Sequence, residues 1–67
     1  MTIDRATVER CHELVAAFFK DEPHKTKLWF EAPNPMLGNI APNDMIAMSR
    51  EKKLLRFIEN LLEGYLP

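Results

Sequence analysis

Cysteine occurs once among the 67 residues, as Cys11. The chain therefore cannot close an intramolecular disulfide, and a thiolate-ligated zinc site lacks its ligands. Glycine occurs only as Gly38 and Gly64, so there is no glycine-rich loop to cradle a phosphate. No apolar run exceeds the six residues from Leu14 to Phe19, far short of the roughly 20 that a membrane-spanning helix needs. Nine basic and ten acidic residues give a net charge of −1, without the basic surplus of a dedicated nucleic-acid binder. Met1 to Asp4 lead straight into charged residues, unlike a secretory signal. A soluble, cytoplasmic chain is expected, with no cofactor and no membrane partner.

Length sets the next limit. A chain of 67 residues holds one domain, expected to run over 1–67. Apolar burial at this size contributes on the order of 100 kcal/mol, and ordering the chain costs about the same. Small domains without disulfides or metals escape that near-zero balance through partners, so a dimer or larger homo-oligomer is expected.

The pattern predicts an all-α fold: a small bundle of about four helices, two long and two short, around a proline-locked central loop. The two glycines, with Ile3, Val8 and Val15 as the only β-branched aliphatics of the first third, argue against a sheet. Val8, Cys11, Val15 and Phe18 recur at helical spacing, which predicts a helix capped by Asp4, running to about Asp21 and ended by Pro23. A short helix fits His24 to Glu31, since Ala32 precedes Pro33 and is pushed out of the helical region. Pro33 to Asn39 form a loop in which Gly38 takes positive φ. Pro42 opens a third helix. Ser49 caps a fourth that ends near Glu63, with Gly64 as its left-handed terminator. Trp29, Phe30, Phe18 and Phe19 are expected as core anchors.

Catalysis has little foothold. Cys11 and His12 are neighbours, and successive helical side chains diverge by about 100°, so they make no nucleophile–base pair. Cys11 is expected as a small core residue, and the two histidines lie on different segments without metal-ligand spacing. The chain is expected not to be an enzyme and to carry no catalytic, cofactor or metal residues.

The last helix is more informative. From Leu54, the apolar residues Leu55, Phe57, Ile58, Leu61, Leu62 and Tyr65 cover an arc of about 160°, wider than the ~100° that one core contact requires. Either the helix is sandwiched inside the monomer, or part of the arc meets another molecule; the shortness of the chain favours the second. Arg50, Lys52, Lys53 and Arg56 crowd its first two turns against a single Glu51, although the helix dipole prefers acids there. They form either a solvated face or a docking patch for an acidic partner or phosphate. Arg50, Lys53, Arg56, Phe57, Leu61, Tyr65 and Leu66 are the candidate partner-binding residues. Past Gly64, Tyr65 and Leu66 form either a frayed end or a plug that enters a partner's cleft.

The run Leu28-Trp29-Phe30-Glu31-Ala32-Pro33-Asn34-Pro35-Met36-Leu37-Gly38, followed by Pro42-Asn43-Asp44-Met45-Ile46, resembles the toxin-binding domain of the Xre/MbcA/ParS antitoxin family. That family shows a Trp, a Pro-Asn pair, a Leu-Gly pair, a Pro that opens a short acidic–apolar helix, and a closing helix rich in Leu and Ile. The resemblance spans roughly residues 18–62, with Trp29, Pro33, Asn34, Pro35, Leu37, Gly38 and Pro42 as the structural motif and Leu37 as a buried plug. It implies a partner: a toxin of the RES fold that consumes NAD or transfers ADP-ribose, neutralised when the antitoxin covers its active site. Asn39 stands where the family has a second glycine, Ala41 where it has a capping Ser or Thr, and Ser49 where glycine is common. Only one helix precedes the motif, so DNA binding by this chain alone is not expected. The competing expectation is a non-enzymatic homo-oligomerisation or adaptor module for a regulatory protein.

Overall fold

Asp4 starts the fold. Its Oδ1 accepts hydrogen bonds from the Ala6 and Thr7 amides at 3.1 and 3.4 Å, satisfying two of the free N–H groups at the head of a helix. That helix, α1, spans Arg5–Phe18 in a computed structural model that describes residues 2–64. It is followed by α2 (Pro23–Glu31), a single 3-10 turn (Pro35–Leu37), α3 (Pro42–Ala47) and α4 (Glu51–Glu63). No strand occurs among the described residues; the fold is the expected all-α bundle of two long and two short helices.

Chain reversals are made by left-handed residues. Helix α1 stops at Phe18, three residues earlier than the spacing suggests, because Lys20 and Asp21 adopt φ of 54° and 60°. The Lys20 amide donates to the Ala17 carbonyl at 3.1 Å and the Asp21 amide to the Ala16 carbonyl at 2.9 Å, a Schellman pair that closes the helix without glycine. Pro23 is thus not the terminator of α1 but the first residue of α2, where its missing N–H costs nothing.

The same device corrects the role of Ser49. Its φ is 60°, and its amide donates to the Ile46 carbonyl at 2.9 Å while that of Arg50 donates to Met45 at 2.8 Å. Ser49 therefore ends α3 rather than capping α4, since an N-cap needs extended backbone; Arg50 holds the cap position without a side-chain bond. Gly64, in turn, has φ −66° and continues the last helical turn instead of taking the left-handed conformation.

The central loop is organised by Asn34. Its Oδ1 accepts from the Met36 amide at 2.9 Å, its carbonyl accepts from Leu37 and Asn39, both at 2.9 Å, and its amide donates to the Ile40 carbonyl at 3.2 Å. Gly38 and Asn39 take positive φ of 72° and 64°, as the turn requires. Ala32 and Ala41, each before a proline, are extended with ψ of 139° and 144°, in accord with the restriction proline imposes.

The core is built by α1 and α4, which lie side by side in the same direction. Cys11, Leu54 and Ile58 are all but completely buried, joined by Val15, by Phe30 from α2 and by Met45 from α3. At the heads of the pair, the Asp4 amide donates to Glu51 Oε2 at 3.0 Å; at the other end Val15, Phe18 and Phe19 meet Ile58, Leu61, Leu62 and Trp29. The anchors are therefore redistributed. Phe30 is buried, but Trp29 and Phe19 are half-buried and Phe18 is 43% exposed. Leu37 is half-buried against the core margin rather than a buried plug, because a three-residue turn at the edge of the bundle cannot reach its centre.

Two carboxyls act at the helix heads: that of Asp4 caps α1, and that of Glu51 accepts from the Asp4 amide and joins α4 to α1. Asp4 is held below its ordinary 3.8, chiefly by the Thr7 hydroxyl and then the Thr7 amide. Glu51, 4% exposed, is held below 4.5 by the Asp4 amide and then by its own. Groups more acidic folded than unfolded bind fewer protons in the native state, so their stabilisation is complete above those ordinary values and is lost as pH falls through the depressed ones. The urea midpoint should accordingly stay level from neutral pH to about pH 5 and drop below about pH 4.5, and Glu51→Gln should lower the neutral midpoint and flatten the drop. Ser49→Gly should stabilise by about 0.5–1 kcal/mol, since relieving left-handed strain of about 1–2 kcal/mol outweighs the entropy of glycine; urea denaturation measures both effects.

Candidate protein-binding groove on the last helix

The wide apolar arc of α4 divides into two parts. Leu54 and Ile58 point into the core and are flanked by half-buried Leu55 and Leu62. Phe57 and Leu61 lie on the other side of Leu54, about 20–60° round the helix. They line a groove of about 330 Å³ with Met36, Asn60 and Gly64. Met36 is 70% exposed, carried there by the 3-10 turn that directs its neighbour Leu37 toward the core.

The groove itself is lined by no charged side chain, but helical spacing places cations of α4 on the same side of the helix. Arg50 and Lys53 precede Phe57 by seven and four residues and share its stripe, while Arg56 precedes Asn60 by four. All three are exposed. The ion pairs among the described residues are Arg10 with Glu13 at 3.7 Å and Lys25 with Glu22 at 3.0 Å, so none of the three is paired among the described residues. Unpaired charge near apolar surface steers association with a partner of opposite sign.

Of the residues singled out from sequence, Phe57 and Leu61 are thus brought together in the groove, while Arg50, Lys53 and Arg56 are exposed and do not line it. Tyr65 and Leu66 lie outside the described residues. Trp29, Pro33, Asn34, Pro35, Leu37, Gly38 and Pro42 form no site of their own; they support the turn that presents Met36. Sequence reasoning missed Met36 and Asn60. A signal for Met36 was present, since a single turn that packs Leu37 inward must project the adjacent apolar side chain outward.

None of the five groove residues carries a nucleophile or a titratable group, so the groove offers contact rather than chemistry. Cys11 is fully buried, with Sγ 3.9 Å from the Glu51 carbonyl, and burial pushes its thiol up to about 11. His12, next to it, turns away and stacks on the Phe30 ring at 4.1 Å. No cluster of three or more His, Cys, Asp or Glu side chains suited to a metal occurs among the described residues, and no helix there is long and apolar enough to cross a membrane. With the thiolate scarce and the sulfur enclosed, Cys11 should react with an aromatic disulfide reagent at pH 8 only after urea is added; thiol release followed by absorbance checks this.

Comparison of the chain with protein-family models, with curated proteins and with solved structures finds no match.

Proposed function

We propose that this chain is a toxin-neutralising module of the antitoxin type, which binds a RES-fold, NAD-consuming or ADP-ribosylating toxin in the cytoplasm and covers its active site with α4. Support comes first from the groove: an apolar wall of Phe57, Leu61 and Met36, on a helix that also carries three exposed cations unpaired among the described residues. Such a surface suits a protein partner, because apolar area supplies affinity while charge supplies orientation and on-rate. The class of partner comes from the Trp29–Gly38 motif and its resemblance to the toxin-binding domain. In this reading the module blocks access to the toxin's NAD pocket and takes no part in the reaction.

Co-expression with a RES-type toxin is the test. The two proteins should co-elute, and NAD consumption should fall to background. Lys53→Glu combined with Arg56→Glu should weaken binding about tenfold, roughly 0.7 kcal/mol for each reversed exposed charge, with folding stability unchanged within about 0.5 kcal/mol. Undiminished toxin activity in the mixture, or inhibition untouched by both reversals, contradicts the proposal.

A further inference from the structure

A second groove, of about 460 Å³, lies between the head of α1 and α3 and is lined by Ile3, Arg5, Val8, Glu9 and Ile46. It shares no residue with the α4 groove. Its floor is aliphatic and half-buried; its rim is an arginine and a glutamate one turn apart, both exposed. Neither makes an ion pair among the described residues, although four residues separate them on one helix. An arginine on the N-terminal side of a glutamate is the weaker orientation of such a pair. Arg5 is also the first residue of α1, where the helix dipole disfavours a cation. The stability of α1 therefore does not account for its presence.

The charge pattern of this face complements itself. Two copies of α1 laid antiparallel about a two-fold axis near Thr7 place Arg5 of each opposite Glu9 of the other, with the Val8 side chains close to the axis. An isologous contact requires that kind of self-matching surface. The α4 groove shows no such reciprocal pair: its five lining residues, Met36, Phe57, Asn60, Leu61 and Gly64, are all uncharged. A net charge of −1 leaves little general repulsion between copies. We propose that the groove formed by Ile3, Val8 and Ile46 is where a second copy of this chain docks, as a symmetric dimer held by burial of these aliphatics and oriented by two reciprocal Arg5–Glu9 pairs. This dimer leaves the α4 groove free and does not depend on the toxin-binding reading.

Sedimentation equilibrium of the full chain, from low micromolar to near-millimolar concentration, tests the proposal. A monomer–dimer equilibrium is expected. Arg5→Glu alone and Glu9→Arg alone should each weaken dimerisation at least about tenfold; the double variant carrying both should return to within about threefold of the original. An equimolar mixture of the two single variants should form a heterodimer. Urea melts of each variant verify folding, and both positions are exposed, where substitutions cost within about 0.5 kcal/mol. Lys53→Glu serves as the control and should leave the equilibrium unchanged. A chain that stays monomeric throughout overturns the proposal, as does a dimer indifferent to the reversals at Arg5 and Glu9. Single variants that weaken the dimer without rescue by the double swap, or a dimer that responds to Lys53→Glu instead, also overturn it.

Discussion

The pairing of α1 with α4 governs the rest of the structure. These are the two helices long enough to bury a stripe, and they lie at opposite ends of the described chain. Cys11 and Val15 from one, with Leu54 and Ile58 from the other, make up four of the six residues of the core cluster. The heads of the two helices are tied by a single hydrogen bond from the Asp4 amide to Glu51, across 47 residues of sequence. That bond matters beyond its strength. Asp4 caps α1 with its side chain while its backbone amide neutralises part of a nearly buried carboxylate at the start of α4, so one residue sets the register of both helices.

Everything between them serves to bring α4 back alongside α1. Two short helices add one buried aromatic, Phe30, and one buried thioether, Met45, to the core; their larger contribution is to steer the chain. Steering is done with left-handed residues: Lys20, Asp21, Asn39 and Ser49 take positive φ, and Gly38 is the single glycine that does so. Each non-glycine residue there carries strain of about 1–2 kcal/mol, large beside the stability of a domain this small. The strain is tolerated because the turns end helices with Schellman pairs that satisfy otherwise free carbonyls. A shorter route without such turns would leave α4 out of reach of α1.

How much of this was legible in sequence follows from the kind of signal each feature leaves. Proline and the residue before it act locally, so the extended Ala32 and the start at Pro42 could be placed without knowing the fold, whereas the 3-10 turn at Pro35–Leu37 lies inside the stretch expected as loop. The Asp4 cap and the Leu54–Ile58 stripe were readable for the same reason. Ser49 was misread because serine before a helix is ordinarily a cap, and only the path from α3 into α4 forces it left-handed. Gly64 failed in the opposite sense: a glycine that is free to leave the helix is not obliged to. Trp29 and Leu37 were placed too deep, since ring size and motif position say nothing about distance from the core. In the groove, Phe57 and Leu61 were visible as the surplus of a wide arc. Met36 was missed although its turn signalled exposure, because its place in the groove depends on α4 passing beside that turn.

The result is a small bundle with two apolar grooves of different electrostatic character, one lined by uncharged residues alone and one edged by Arg5 and Glu9. The central claim is that the first of these, on α4, is where a foreign protein binds. Cross-saturation NMR measures this most directly, with a methyl-labelled chain mixed with an unlabelled RES-type toxin. Saturation should pass to the methyl groups of Met36 and Leu61 and leave those of Ile3, Val8 and Ile46 unaffected. Transfer concentrated at Val8 and Ile46, with none at Met36 and Leu61, would contradict the account.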